Sequence, residues 1–276
     1  MDHEFAIISR AYESKPYFLR WQNPMLKDDM VRQGNWLFRW RSYLPLILLP
    51  SAVAVLQGSG WMTQVFGARF EDGYDYFLLL IAFTGFAIRV ATVGFVPAGT
   101  SGRNTRGQNA AALNTTGFYS LSRHPLYFAN FLVFISFVLL LKSLLFTLFA
   151  GVIYFLYYER IMLAEEQFLE SLYGQAYRVW AAATPAFLPR LSGWVRPSLP
   201  FSWRSVIGRE FHTVLLIASV FFLSEMLEAI VVERQTFAQW VHEEPVWLWM
   251  LCVSGAIYLM VRALKKRTNW LAVAGR

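Results

Sequence analysis

Charge is scarce in this chain: Asp, Glu, Lys and Arg make up 16% of 276 residues, whereas 56% are hydrophobic and 17% aromatic. That balance excludes a disordered chain and sets the sequence apart from an ordinary soluble domain. Cysteine is scarcer still. Cys252 stands alone inside an apolar run, which excludes an internal disulfide and a cysteine-based metal site. Of four histidines, His3, His212 and His242 lie in no recognisable pattern, and no metal is expected. Internal repeats are lacking, which weighs against a transporter built from inverted repeats. A signal peptide is not expected either, because Met1 to Arg41 has no sustained apolar core and no small-residue cleavage site. The formal charge of +7 could suggest nucleic acid, but the distribution of the basic residues points instead to membrane orientation.

What the chain has in quantity is apolar runs. A membrane-spanning helix needs roughly 20 mostly apolar residues. Tyr43 to Met62 and Pro245 to Val261 carry no charge, Tyr76 to Pro97 carries only Arg89, and Phe211 to Val232 carries Glu225 and Glu228. Pro125 to Tyr158 is too long for one span, and Lys142-Ser143 near its middle reads as the tip of a tight helical hairpin. The expected fold is therefore all-α, a polytopic membrane bundle of about six spans in which spans 3 and 4 form the hairpin. With six spans, all Lys and Arg except Arg69, Arg89, Lys142 and Arg234 fall on one side, which the positive-inside rule makes cytoplasmic, with both termini there. Residues 1–42 mix bases with Phe5, Tyr12, Tyr17, Phe18, Trp21, Trp36 and Trp40, as in a segment lying in the headgroup layer. Residues 43–190 form a four-span core, and the Pro-rich stretch from Pro185 to Pro200 leads into residues 191–276 with the last two spans.

Two cytoplasmic stretches carry the polar chemistry. Thr100 to Gly107, and then Leu113 to Tyr127, are dense in hydroxyls, glycines and arginines and run into a helix that tolerates Pro125 in its first turn. Such a loop can offer backbone N–H groups and an Arg to an anion. Glu159-Arg160 and Glu165-Glu166 stand at the inner end of the fourth span. Adjacent carboxylates point about 100° apart on a helix, so they serve two different partners. Hairpin topology brings His124, at the start of span 3, beside Glu165 at the end of span 4. Ionisable groups inside spans are functional candidates by default. Arg89, about 12 Å from the inner end of its span, could face an acceptor headgroup; Glu225 and Glu228, nearer the outer interface, are candidates for pairing between helices.

The ordered set Gly117-x-Tyr119-x-x-x-Arg123-His124-Pro125-x-Tyr127, then Glu165-Glu166-x-x-Leu169, then Tyr173-Gly174-x-x-Tyr177-x-x-Trp180 with Pro185 and Pro189, resembles the signature of integral-membrane methyltransferases. These include isoprenylcysteine carboxyl methyltransferases and phosphatidylethanolamine N-methyltransferases. The resemblance covers roughly residues 85 to 190. It implies S-adenosylmethionine as cofactor, bound on the cytoplasmic side among Tyr119, Arg123, His124, Pro125, Tyr127, Glu165, Glu166 and Tyr177. His124 and Tyr127 would flank it, Glu165 or Glu166 would take its ammonium or ribose hydroxyls, and Arg123 its carboxylate. Tyr127, Tyr173 or Trp180 could face the sulfonium. Arg123, Glu166 and Arg89 are the expected catalytic residues.

Departures from the pattern bear on the acceptor. Ala129 and Trp180 are mild ones, but Ala183 stands where eukaryotic prenylcysteine enzymes carry a base suited to a substrate carboxylate. Arginines instead surround the site and suit a lipid phosphate. The expected acceptor contacts are Arg89, Arg103, Arg106, Trp180 and Arg190, on a bilayer lipid rather than a nucleic acid, as in bacterial lipid-modifying members of the cytoplasmic membrane. A prenylcysteine acceptor, a sterol-reductase-like enzyme using NADPH, and a transporter that uses Arg89 with Glu225 or Glu228 are the competing readings.

Overall fold

A computed structural model describes residues 25–97 and 110–275. Most of the amino-terminal bases and aromatics and the whole Thr100 to Gly107 loop, with Arg103 and Arg106, lie outside the described residues. Every regular element among the described residues is helical. The order is α1 (Leu26–Trp40), a 3-10 turn (Leu44–Leu48), α2 (Leu49–Leu56), α3 (Trp61–Phe66), α4 (Ala68–Phe95), a 3-10 turn (Phe118–Ser120), α5 (Pro125–Leu139) and α6 (Leu144–Tyr173). Then come α7 (Gln175–Ala183), α8 (Trp203–Leu227) with a π-helical continuation (Glu228–Val232), α9 (Phe237–Glu243) and α10 (Pro245–Arg267).

Among the described residues four helices are long and apolar enough to cross a membrane: Ala68–Phe95, Leu144–Tyr173, Trp203–Val232 and Pro245–Arg267. The chain is thus an integral membrane protein. Two shorter apolar helices, Leu46–Leu56 and Pro125–Leu139, accompany them. The expected first span, Tyr43 to Met62, is not one helix. Pro50 opens α2, and the turn through Gly58, Ser59 and Gly60 separates α2 from α3, because proline lacks the N–H that would continue the preceding turn and Gly-Ser-Gly favours a bend. The count of six is therefore four full-length helices and two short ones.

The hairpin forms where its sequence places it. Lys142 takes a left-handed conformation (φ 51°), and the Ser143 hydroxyl accepts the Phe146 N–H (3.4 Å) to cap α6. Rather than lying exposed at a loop tip, Lys142 is buried. Its ammonium binds Glu71 of α4 and Glu228 Oε2 (2.6 Å), with Asp75 Oδ2 at 3.9 Å, while its carbonyl accepts the Trp61 indole N–H (2.8 Å). Glu228 is thus a pairing group between helices, and Glu225 is buried one turn before it.

Leu78 and Ala82 of α4, Val133 of α5, Ile217 and Phe221 of α8 and Trp247 of α10 form the principal core, with the Phe221 and Trp247 rings stacked at 5.7 Å. Lipid tails are as apolar as these side chains, so van der Waals fit between helices holds them together. Outside this core, α1 lies along α6. A Cβ on Gly34 would stand 2.0 Å from the Arg160 carbonyl oxygen, a separation only glycine permits. Trp36 and Trp40 remain exposed on the other side of α1, in keeping with an interfacial helix.

Candidate active site

The loop before α5 is fixed by a distant strap. Arg123 N–H donates to the Pro185 carbonyl (2.8 Å), His124 N–H to Ala186 (3.1 Å), Arg190 N–H to Leu121 (2.9 Å) and Gly117 N–H to Val195 (2.9 Å). The Ser122 hydroxyl lies within reach of the Ala186 and Phe187 carbonyls at 3.1 and 3.0 Å. These bonds hold Arg123 and His124 at the N-terminus of α5, where Pro125 starts the helix without a wasted donor. On the other leg, α6 ends at Gly174, whose φ of 51° suits glycine and turns the chain into α7.

Between these fixed points the expected residues meet. His124 Nε2 lies 3.1 Å from Glu166 Oε1, and its Nδ1 lies 3.5 Å from Glu165 Oε2. The Tyr127 hydroxyl donates to Glu165 Oε1 (2.6 Å). Arg123 Nε lies 2.9 Å from Glu166 Oε1, while its Nη1 donates to the Ala181 carbonyl (3.0 Å). Contrary to the expectation from their angular separation, the neighbouring carboxylates share a partner, because the two ring nitrogens of His124 point to opposite sides and reach one each; only their second partners, Tyr127 for Glu165 and Arg123 for Glu166, differ. Burial opposes protonation of His124, but hydrogen bonds and charge from Glu165 and Glu166 outweigh it, and the imidazole pKa lies above its ordinary value. Burial, with Glu165 adding, raises the Tyr119 phenol, and burial with Glu166 raises Tyr177.

Aromatic rings continue the site along α6. The His124 and Tyr127 rings stack at 5.6 Å, Tyr127 meets Tyr158 at 4.9 Å, and Tyr158 stacks on Tyr154 at 4.3 Å. Tyr154 donates to the Tyr127 carbonyl (3.0 Å). The Trp180 indole donates to the Tyr119 carbonyl (3.2 Å) and its ring meets Tyr177 at 5.7 Å. From Tyr158 and Met162 a groove of about 450 Å³ runs between α5 and α6, lined by Phe131, Ile135, Leu148, Val152 and Phe155.

Two expected residues stand apart. Arg89 has its guanidinium fork filled by Glu210 of α8 (Nε to Oε2 and Nη2 to Oε1, both 2.8 Å) and its Nη1 on Asn130 of α5. Arg190 is exposed and donates to the Ala183 carbonyl (2.5 Å). Glu210, Asn130 and the aromatic pair Tyr154 and Tyr158 were not expected. For Glu210 a signal existed: it lies seven and eleven residues before Ile217 and Phe221, on the face of α8 that the core buries.

Residues here fit S-adenosylmethionine. Two half-buried carboxylates can receive an ammonium or ribose hydroxyls, and the buried Gln167 Oε1 has no hydrogen-bond partner among the described residues. Over 130 residues, 46% of this chain, it is 34% identical to the cobalt-zinc-cadmium resistance protein CzcN of Cupriavidus metallidurans. Over 86 residues, 31% of the chain, it is 33% identical to the nickel-cobalt-cadmium resistance protein NccN of Alcaligenes xylosoxydans xylosoxydans. Those stretches span 57% and 40% of the two relatives, about half their length. No solved structure matches the chain. Residues 78–176 match the family described as phospholipid methyltransferase. It is this central stretch, with the hairpin and its adjacent carboxylates, that is similar to the phospholipid methyltransferase family, a family of integral-membrane methyltransferases whose members use S-adenosylmethionine.

Proposed function

We propose that the chain transfers a methyl group from S-adenosylmethionine to the headgroup phosphate or amine of a bilayer lipid, on the cytoplasmic face of a bacterial inner membrane. The observation that carries this reading is the meeting of His124, Tyr127 and Arg123 with Glu165 and Glu166 at the open end of the hairpin. The cofactor, when bound, supplies an electrophilic methyl group on sulfur. Arg123 and His124 both meet Glu166 at Oε1, and the Tyr177 hydroxyl also bonds this carboxyl, whose other oxygen has acceptor capacity for an ammonium or a ribose hydroxyl. His124, whose charged form is favoured by the two carboxylates it lies between, fixes their spacing. Arg123 offers charge for a carboxylate. The faces of Tyr127 and Tyr158, tilted 55° to one another, provide a surface on which a cation gains on the order of 1–2 kcal/mol when dry.

Methyl transfer breaks one carbon–sulfur bond and forms one carbon–oxygen or carbon–nitrogen bond, so holding the acceptor in line supplies most of what the protein contributes. A lipid acceptor is favoured by the apolar groove, which starts beside Tyr158 and Met162 and has room for a hydrocarbon chain. Methylation of a phosphate oxygen also removes a negative charge, and with it an attraction for divalent cations. That outcome accords with relatives named for resistance to such metals.

Calorimetry on the purified protein tests the reading. S-adenosylmethionine binds, and Glu166→Gln weakens it about ten- to hundredfold, because a hydrogen bond to a charged group is worth roughly 1.5–3 kcal/mol. Incubation with radiolabelled methyl donor and a total bacterial lipid extract then labels a lipid. Folded protein that binds no cofactor and labels no lipid refutes the assignment.

A further inference from the structure

A second polar cavity lies at the same end of the bundle as His124, because Ser202 N–H, just before α8, donates to the Gly94 carbonyl in the last turn of α4 (2.9 Å), and that turn leads toward the site loop. It measures about 320 Å³, within the range of small-molecule sites, and sits between the first turns of α8 and the end of α10. Arg204, Arg209 and Lys265 line it, together with the polar side chains of Ser205, Thr268 and Asn269; among the described residues no carboxylate does. None of this cavity falls within the stretch matched to the methyltransferase family.

The helix dipole accounts for bases in the last turn of α10, namely Lys265, Lys266 and Arg267. It does not account for Arg204 and Arg209, which come from the start of another helix, where the dipole disfavours cations. Nor are Arg204 and Lys265 neutralised locally. Arg204 donates to the carbonyls of Trp270 and Ala272 (3.4 Å to the latter), and Lys265 donates to the Gly208 carbonyl (3.2 Å). Carbonyls orient these groups without cancelling their charge, and among the described residues neither has a carboxylate within ion-pair distance. Two cations held by carbonyls rather than carboxylates, with Arg209 and hydroxyl and amide side chains along the same lining, suit a phosphate.

Two observations tie the cavity to an acceptor rather than to a free anion. Trp203 and Trp270, each next in sequence to residues that line it, are exposed, and Arg204 lies over the Trp270 ring (5.4 Å), an arrangement typical of the membrane–water interface. Arg209 also acts electrostatically on Tyr119, as do Glu165 and Arg89, and it adjoins Glu210, the partner of Arg89. We infer that the cavity lined by Arg204, Arg209 and Lys265 holds the phosphate monoester of a lipid acceptor. This rests on the methyltransferase reading for the word acceptor; phosphate binding itself does not.

The test uses the full chain in detergent micelles with phosphatidic acid, phosphatidylcholine and inorganic phosphate as probes, S-adenosylmethionine affinity being measured in parallel. Phosphatidic acid binds at least tenfold more tightly than phosphatidylcholine. The double variant Arg204→Gln/Lys265→Gln loses that preference while cofactor affinity stays within twofold, and Arg204→Lys/Lys265→Arg keeps it, which separates loss of charge from loss of fold. Competition by inorganic phosphate at equal concentration assigns recognition to the phosphate alone; failure to compete assigns it to the phosphate within a lipid, as inferred. Equal binding of both lipids, undiminished phosphatidic acid binding by the neutral pair, or equal loss in the charge-preserving pair overturns the inference. Phosphate selectivity without any cofactor binding leaves the cavity standing and removes the methyltransferase reading.

Discussion

Replacing Arg89 with methionine separates a group that holds helices together from one that touches an acceptor. Arg89 is largely enclosed, and Glu210, 3% exposed, receives two guanidinium N–H groups at 2.8 Å and the Thr213 hydroxyl at 2.9 Å. Removing the guanidinium leaves a buried carboxylate with one neutral donor, and breaking a buried pair in this way costs about 3–5 kcal/mol. Removing Glu210 instead leaves a guanidinium bonded to Asn130 alone, with a comparable loss. Arg89→Met combined with Glu210→Leu leaves no orphaned charge, so the double variant recovers much of the stability, with a coupling of about 2–3 kcal/mol. For a chain of this size the single variants lower the unfolding temperature by roughly 6–20 °C, measured by tryptophan fluorescence in detergent. A shift under about 2 °C for Arg89→Met, or a double variant as unstable as the sum of the singles, refutes the pairing argument. Methyl transfer by the refolded double variant then decides the role. Activity with an unchanged KM makes the pair a clamp joining α4 to α8, whereas a stable but inactive double variant places Arg89 against the acceptor.

Two further outcomes follow from the same charges. Lys142→Ala strips Glu71 and Glu228 of their cation and destabilises the protein by about 3–5 kcal/mol, while Lys142→Gly loses about 1 kcal/mol less because glycine relieves the left-handed backbone; thermal unfolding of both variants, with glycine no better than alanine, would contradict this. His124 has a folded pKa above its ordinary 6.5, so its pairing with Glu165 and Glu166 is fully present below that pH and is lost as pH rises through the folded value. The stability difference between wild type and His124→Gln is therefore largest in mild acid and shrinks toward alkaline pH, and a difference that grows with pH rules the pairing out.

The sequence made the hairpin and its foot readable because both depend on local features. Lys142-Ser143 interrupts an otherwise unbroken apolar run, and a lysine there has few places to sit except a turn. His124 and Glu165 follow from the hairpin, since antiparallel legs bring the start of one beside the end of the other. The partners of the isolated charges were not readable. Arg89 meets Glu210 across 121 positions and Lys142 meets Glu228 across 86, and no periodicity within one helix says which face of another it will find. Glu210 lies one residue ahead of the apolar run from Phe211 to Val232 and so outside its bounds, although its register is that of the buried face. The first expected span failed for a different reason. Hydropathy counts residues without charge, and Pro50 and the Gly-Ser-Gly turn break a helix without altering that count.

A groove opens beside the site between two fixed ends of the hairpin. From the turn to His124, α5 rises about 22 Å, whereas from the turn to Glu165, α6 rises about 32 Å at 1.5 Å per residue. The difference of about 10 Å is bridged at the foot by the side chains of His124, Tyr127 and the two glutamates, and between foot and turn Phe131 and Ile135 line the groove with Leu148, Val152 and Phe155. Ion pairs hold both ends: Lys142 ties the turn to α4 and to the end of α8, and Arg123 with His124 ties the foot of α5 to α6. An apolar slot held between charges at its two ends can admit a hydrocarbon chain from the bilayer without the helices having to part first.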